Sequence, residues 1–296
     1  MQHTPTPATG ALVGSYRYGK ALKIFVLTLC VVLIGLAGFV LYLGTILPVQ
    51  DVGPVSLTTQ RGTTLNFSSQ AMLIYFTSGL LVVLALALLG LYAWQSRLRK
   101  SSYELYEHGI AHTTNGQRSF VPFSEIDDLY LFSSGQTVMT GLVTNLAFRR
   151  NASEPFHRVI EPLKGFHDFL QRFRELYLAA RQPQVLDTLQ RGGAVTFNCI
   201  DNGQVWRKRV SGNFLAVQTY PIVLTQHSLQ VQGKQVPIAS LRSLDQSTWT
   251  EKLLIKDASG ATVLSTLATG LMSADLFLDT LSLLVEHASH GQQQPA

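Results

Sequence analysis

Two cysteines among 296 residues exclude a disulfide framework and a cysteine metal cluster. Cys30 lies in an apolar run and Cys199 far downstream, and both read as small apolar fillers. Charge is also scarce, with Asp, Glu, Lys and Arg making up 14% of the chain, and the shortage is concentrated in two places. Residues 24–47 and 71–94 each run for 24 positions without a charged side chain. At ~1.5 Å per residue such a helix covers ~36 Å, enough to cross a hydrocarbon core of ~30 Å. Neither run contains Asp, Glu, Lys, Arg or His, which excludes an ion or proton path built from ionisable groups.

Catalytic signatures are missing as well. The chain has no Gly-x-Ser-x-Gly elbow, no Gly-x-x-x-x-Gly-Lys-Ser/Thr phosphate loop and no Gly-x-Gly-x-x-Gly following a strand. His108 and His112 stand near Glu107, but Gly109 breaks the helix a His-x-x-x-His pair needs to aim both rings at one metal. They read as turn or strand-surface residues, and His157 and His167 as isolated ones. Cys199 has no histidine beside it in sequence, and Asp127 and Asp128 point to opposite faces of a strand. The expectation is a protein that is not an enzyme and holds no metal or cofactor.

The formal charge of +5 is unevenly spread. Residues 1–100 carry seven Lys/Arg against Asp51 alone, while residues 101–296 carry sixteen against seventeen acids. The basic excess therefore belongs to the apolar runs, and a nucleic-acid partner is not expected. Residues 1–20 are rich in Thr, Pro, Ala and Gly and read as a flexible tail. Arg17, Lys20 and Lys23 flank the first run, and Trp94, Arg97, Arg99 and Lys100 follow the second. The first run is too long for a signal-peptide core and a second follows it, so both are retained as spans. The positive-inside rule then predicts a transmembrane hairpin over 21–100, with spans at about 24–47 and 71–94 and both termini cytoplasmic. Gly35, Gly38, Gly44, Ser78, Gly79 and Gly90 would let helices approach closely, which leaves self-association open.

From residue 101 the pattern becomes that of strands: 103–106, 110–114, then Asn115-Gly116 as a two-residue hairpin turn, and 118–132 interrupted at Pro122. Strands at 142–150 and 156–160 follow. Phe166, Phe169, Leu170, Phe173, Leu176, Tyr177 and Ala180 then share one helix face, which Pro183 ends. A short helical piece at 185–190 and strands at 195–200, 215–219, 222–225, 228–231, 253–256 and 261–267 precede a last helix capped by Ser273. The two halves match. Glu107-His108-Gly109-Ile110, Val121-Pro122-Phe123 and Ile126 correspond to Gln226-His227-Ser228-Leu229, Val236-Pro237-Ile238 and Leu241. An internal duplication follows, with domains at 101–182 and 183–288 and a loose tail at 289–296.

The run Tyr-Glu-Leu-Tyr-Glu-His-Gly-Ile from Tyr103 and the run Val-Pro-Phe-Ser-Glu-Ile from Val121 resemble a bacterial pleckstrin-homology-like domain. The run Val-Leu-Asp-Thr-Leu-Gln-Arg-Gly-Gly-Ala-Val-Thr-Phe from Val185 resembles the opening of the second half in a bacterial membrane family of unknown function. The resemblance implies an α+β fold: a two-helix transmembrane hairpin followed by two antiparallel β-barrel or sandwich domains, each closed by a C-terminal helix. It also implies a multi-pass protein of the bacterial inner membrane. Such a protein would present its domains as a non-catalytic scaffold to a protein partner or the lipid surface, or serve as an accessory subunit of a transport or envelope complex. Candidate lipid-headgroup contacts are Arg149, Arg150, Arg207, Lys208 and Arg209, because each exposed basic residue near an anionic leaflet gains ~1 kcal/mol.

Overall fold

A computed structural model of the chain describes residues 9–46, 55–58, 62, 64–96, 101–133, 143–201, 203–204, 214–247 and 252–291. The chain opens with β1 (Leu12–Arg17) and α1 (Ala21–Ile46), then β2 (Val55–Thr58), β3 (Thr64–Phe67) and α2 (Gln70–Ser96). Next come β4 (Ser102–Tyr106), β5 (Gly109–Thr114), β6 (Gln117–Pro122), β7 (Asp128–Phe132), β8 (Asn145–Arg149), β9 (His157–Ile160) and α3 (Phe166–Gln190). The remainder is β10 (Ala194–Ile200), β11 (Thr219–Thr225), β12 (Ser228–Val231), β13 (Lys234–Pro237), β14 (Leu241–Ser247), β15 (Lys252–Asp257), β16 (Thr262–Leu267) and α4 (Ala274–Gly291). Contacts divide the chain into two compact units, Tyr18–Lys100 and the rest.

In the first unit α1 and α2 are long and apolar enough to cross a membrane. Ile24, Phe25, Val31, Tyr75, Val83 and Leu86 all lie exposed along them, as lipid-facing residues would. The helices pack antiparallel. The Ser78 hydroxyl donates to the Ala37 carbonyl at 3.2 Å and the Cys30 thiol to the Ala85 carbonyl at 3.5 Å, so each polar group is met across the pair. A Cβ at Gly44 would meet the Ile74 side chain at 3.1 Å, a tight contact that Ile74 would have to ease, but Gly35, Gly38, Gly79 and Gly90 border open space. Between the helices, β2 and β3 form a small hairpin, and Phe67 is buried against Phe76.

The second unit is built twice from one plan. Sheets ordered β1-β4-β5-β6 and β7-β8-β9 precede α3; sheets ordered β10-β11-β12-β13 and β14-β15-β16 precede α4. All pairings are antiparallel. The correspondence reaches single hydrogen bonds. Phe123 N–H donates to the His108 carbonyl at 3.0 Å, and Ile238 N–H to the His227 carbonyl at 2.8 Å. Each half turns its hairpin on a left-handed pair, Asn115-Gly116 or Gln232-Gly233, which matches the twist of the flanking strands. Each helix starts after a left-handed residue, Gly165 or Ser273.

Residues 12–17 overturn the expectation of a flexible tail over 1–20, because they form β1, the first strand of repeat 1, while residues 1–8 lie outside the described residues. β1 pairs with β4 from Leu12↔Tyr106 to Arg17↔Ser102, as β10 pairs with β11 in repeat 2. Tyr16 packs edge-on against Phe169 with centroids 5.1 Å apart and planes at 74°, and Phe197 meets Phe277 at the same 5.1 Å and 74°. Lys164 N–H donates to the Arg17 carbonyl, and Met272 N–H to the Asn198 carbonyl. Repeat 1 is therefore interrupted between its first and second strands by residues 18–100, where repeat 2 has residues 201–218.

Three other expectations change. Pro183 lies inside α3, which continues to Gln190. An interior proline costs ~3 kcal/mol. Burying Val185 and Leu189, each worth about 1.5–3 kcal/mol, offsets it. No domain boundary falls at 182/183, and the repeats form one compact unit. The strand expected at 215–219 is replaced by β11 running through Pro221, which is tolerated because β12 pairs only with residues 222–224. The last helix extends to Gly291, beyond the start of the expected tail at 289.

Candidate functional site

The seam between the repeats gathers the buried polar groups. Asp128, Tyr130 and Phe132 alternate onto one face of β7, and Tyr130 and Phe132 meet Ile200, Phe214, Leu267 and Met272 of repeat 2. Asp128 is 1% exposed and would be an isolated buried anion but for two partners. Arg149 Nε donates to its Oδ2 at 2.6 Å, and Asn198 Nδ2 of repeat 2 donates to its Oδ1 at 2.8 Å. Arg149 also covers the Phe156 ring at 4.3 Å. Nearby, Arg158 donates twice to Asn145 Oδ1 and lies over the stacked rings of Phe132 and Phe214.

Ser273 forms the second knot. Its hydroxyl does not cap its own helix but donates to the Asp127 carbonyl at 2.9 Å. It accepts from the Leu129 N–H at 3.1 Å and the Tyr177 hydroxyl at 2.8 Å. Ser273 N–H in turn donates to the Leu129 carbonyl at 2.7 Å. Burial pushes the Tyr177 hydroxyl up to about 12, so it stays a donor at neutral pH. Arg174 clasps Asp275 through two bonds of 2.6 and 2.7 Å, and Arg181 ties α3 to the Ser124 carbonyl and Asp127. The segment around Ser273 thus lies along the free edge of β7, beside α3.

Two of the proposed headgroup contacts are committed elsewhere. Arg149 is half-buried and paired with Asp128 in the seam, and Arg150 pairs with Glu154 at 3.0 Å and Glu125 at 3.6 Å, so neither is an unengaged basic group. Arg207, Lys208 and Arg209 lie outside the described residues. Of the flank anchors, Arg17 ends β1, Lys20 and Lys23 lie at the start of α1, and Trp94 is 70% exposed near the end of α2. Arg97, Arg99 and Lys100 lie outside the described residues.

His157 is not isolated. Its ring lies 4.3 Å from that of His112, across the two sheets of repeat 1. Burial, and then His157, pushes His112 down to about 4. Burial also lowers His157, Glu154 opposing and Arg150 adding to the shift. His112 Nδ1 is buried without a hydrogen-bond partner, so the pair is neutral packing rather than a charged site. Among the described residues no group of three or more His, Cys, Asp or Glu converges to hold a metal ion.

Sequence reasoning missed the seam entirely. Leu129 and Ser273 are 144 positions apart, and the only local hint is that Ser273 breaks helix geometry with φ 53°. No protein-family model, curated protein or solved structure matches the chain. The fold and its seam define a mixed α+β protein with two apolar helices and several antiparallel sheets.

Proposed function

We propose that the chain is a bacterial inner-membrane protein in which α1 and α2 form a transmembrane hairpin inserted into the first of two pleckstrin-homology-like repeats. The repeats act in the cytoplasm as a non-catalytic binding scaffold for a protein partner. One observation carries this reading: β1 precedes the first helix, β4 follows the second, and the two strands pair in one sheet. Strands on opposite faces of a bilayer cannot pair, so the chain crosses an even number of times. The four-strand sheet, three-strand sheet and helix, present twice, support the pleckstrin-homology-like plan. The β1–β4 pairing brings both flanks of the helical segment to one sheet, which suits a tethered docking platform.

Right-side-out spheroplasts test the topology. Single cysteines replace the exposed Leu12, Ser56 or Ala258 in a chain carrying Cys30→Ala and Cys199→Ala. A membrane-impermeant maleimide should label Ser56→Cys in intact spheroplasts, and Leu12→Cys and Ala258→Cys only after lysis. Labelling of Leu12→Cys or Ala258→Cys before lysis contradicts the cytoplasmic placement of the repeats.

A further inference from the structure

The edge of β7 in repeat 1 is covered by the chain's own segment around Ser273, with Tyr177 and Arg174 of α3 holding it in place. Carrying the Gly165/Ser273 match along the closing helices aligns Phe173 with Leu281, Arg174 with Ser282 and Tyr177 with Val285. Carrying the Pro122/Pro237 match along the strands aligns Ile126 with Leu241, Asp127 with Arg242 and Leu129 with Leu244. Phe148, opposite Leu129, then matches Ile255, opposite Leu244. Repeat 2 should therefore have an equivalent groove between β14 and α4.

It does, and nothing described fills it. A cavity of about 250 Å³ opens there, lined by Leu241, Arg242, Ile255, Leu281, Ser282, Val285 and Glu286. The repeat comparison explains the space: Phe148, Phe173 and Tyr177 of repeat 1 have become Ile255, Leu281 and Val285, three rings replaced by smaller aliphatic groups. Among the described residues β14 pairs with β15 alone, so its other edge is available for backbone hydrogen bonds.

We propose that this groove takes a peptide segment of a protein partner, laid along β14 with an apolar side chain in the cavity and a carboxylate on Arg242. The occupant of the repeat 1 groove is the template. It brings a backbone N–H to the strand edge and a carboxylate, Asp275, to Arg174 of the closing helix; repeat 2 has Ser282 at that helix position, and its cation stands on the strand instead, at Arg242. Arg242 is exposed and has no ion pair among the described residues. Glu286 of α4 also lines the cavity and repels a carboxylate, which draws the acidic residue to Arg242 on the β14 side. An acyl chain would fill the cavity but leave the strand edge unpaired. The equivalent segment of a second copy is already bound in its own repeat 1.

This deepens the scaffold reading and rests on it. Failure of peptide binding would overturn the groove alone, whereas failure of the spheroplast labelling would overturn the hairpin. The test uses full-length protein in lipid nanodiscs, panned against a random dodecamer library displayed on phage. Enriched peptides should share an apolar residue beside Asp or Glu. Val285→Tyr, which restores the repeat 1 residue, should weaken the best synthetic peptide at least tenfold by fluorescence anisotropy. The surface change Arg242→Glu should leave the unfolding midpoint unchanged and switch the enriched neighbour from acidic to basic. No enrichment, or equal binding to Val285→Tyr, overturns the proposal. So does self-association that Val285→Tyr abolishes, since the occupant would then be a second copy.

Discussion

Tyr16→Ala in the full-length protein should lower the unfolding midpoint of the β-rich unit by on the order of 10 °C. Tyr16 is 7% exposed, its ring packs on Phe169, and its hydroxyl donates to Asp168 Oδ2 at 2.6 Å. Truncating a buried aromatic side chain costs about 3–5 kcal/mol. In a unit of this size each kcal/mol moves the midpoint by about 2–4 °C. Burial, and then the bond to Asp168, pushes the Tyr16 phenol up to about 12, so it is protonated throughout the neutral range. Tyr16→Phe keeps the ring and loses only the hydrogen bond, worth about 1 kcal/mol. The two variants separate packing from polarity, read by circular dichroism melting in detergent. A Tyr16→Ala protein that melts with the parent would mean that β1 is not part of repeat 1.

Arg149→Ala should destabilise the same unit by about 3–5 kcal/mol, because it strands the Asp128 carboxylate in a seam that excludes water. Asp128→Leu should cost a similar amount, by leaving a guanidinium half of whose partners are gone. The double variant Asp128→Leu/Arg149→Met should recover much of the loss, since replacing both members of a buried pair by apolar groups is often close to neutral. Chemical denaturation of the four proteins gives the coupling directly. Additive losses would show that the two side chains do not act as a pair. Such a pair also joins the repeats, because Asn198 of repeat 2 shares Asp128.

What could be read from sequence was whatever one segment settles alone. The two long apolar helices are legible because 24 uncharged residues need no partner to declare themselves. The Val-Pro-Phe and Val-Pro-Ile turns are legible because proline constrains the backbone locally. β1 is not, for two reasons. Its strand partner begins at Ser102, beyond both helices, and the pairing shifts register between Leu12 and Gly14, which blurs the alternation expected of a strand. Pro183 misled because local cost was weighed without the burial of Val185 and Leu189 that offsets it. Ser273 looked like a cap because its hydroxyl's true partners lie in repeat 1. Arg149 looked like an exposed headgroup contact because its place in the seam depends on Asp128, whose other partner lies on a strand far downstream. In each case the missing information was a contact distant in sequence.

The two apolar helices interrupt repeat 1 between adjacent strands. Cysteines at Ser15 and Glu104, partners across β1 and β4, test this in native membranes with Cys30 and Cys199 replaced by alanine. After mild oxidation, cyanogen bromide cleavage at Met72 separates the two positions unless a disulfide joins them. The account predicts that the fragments on either side of Met72 stay linked on a non-reducing gel and separate on reduction. Fragments that separate without reductant, from a chain whose cysteines remain reactive, would contradict it.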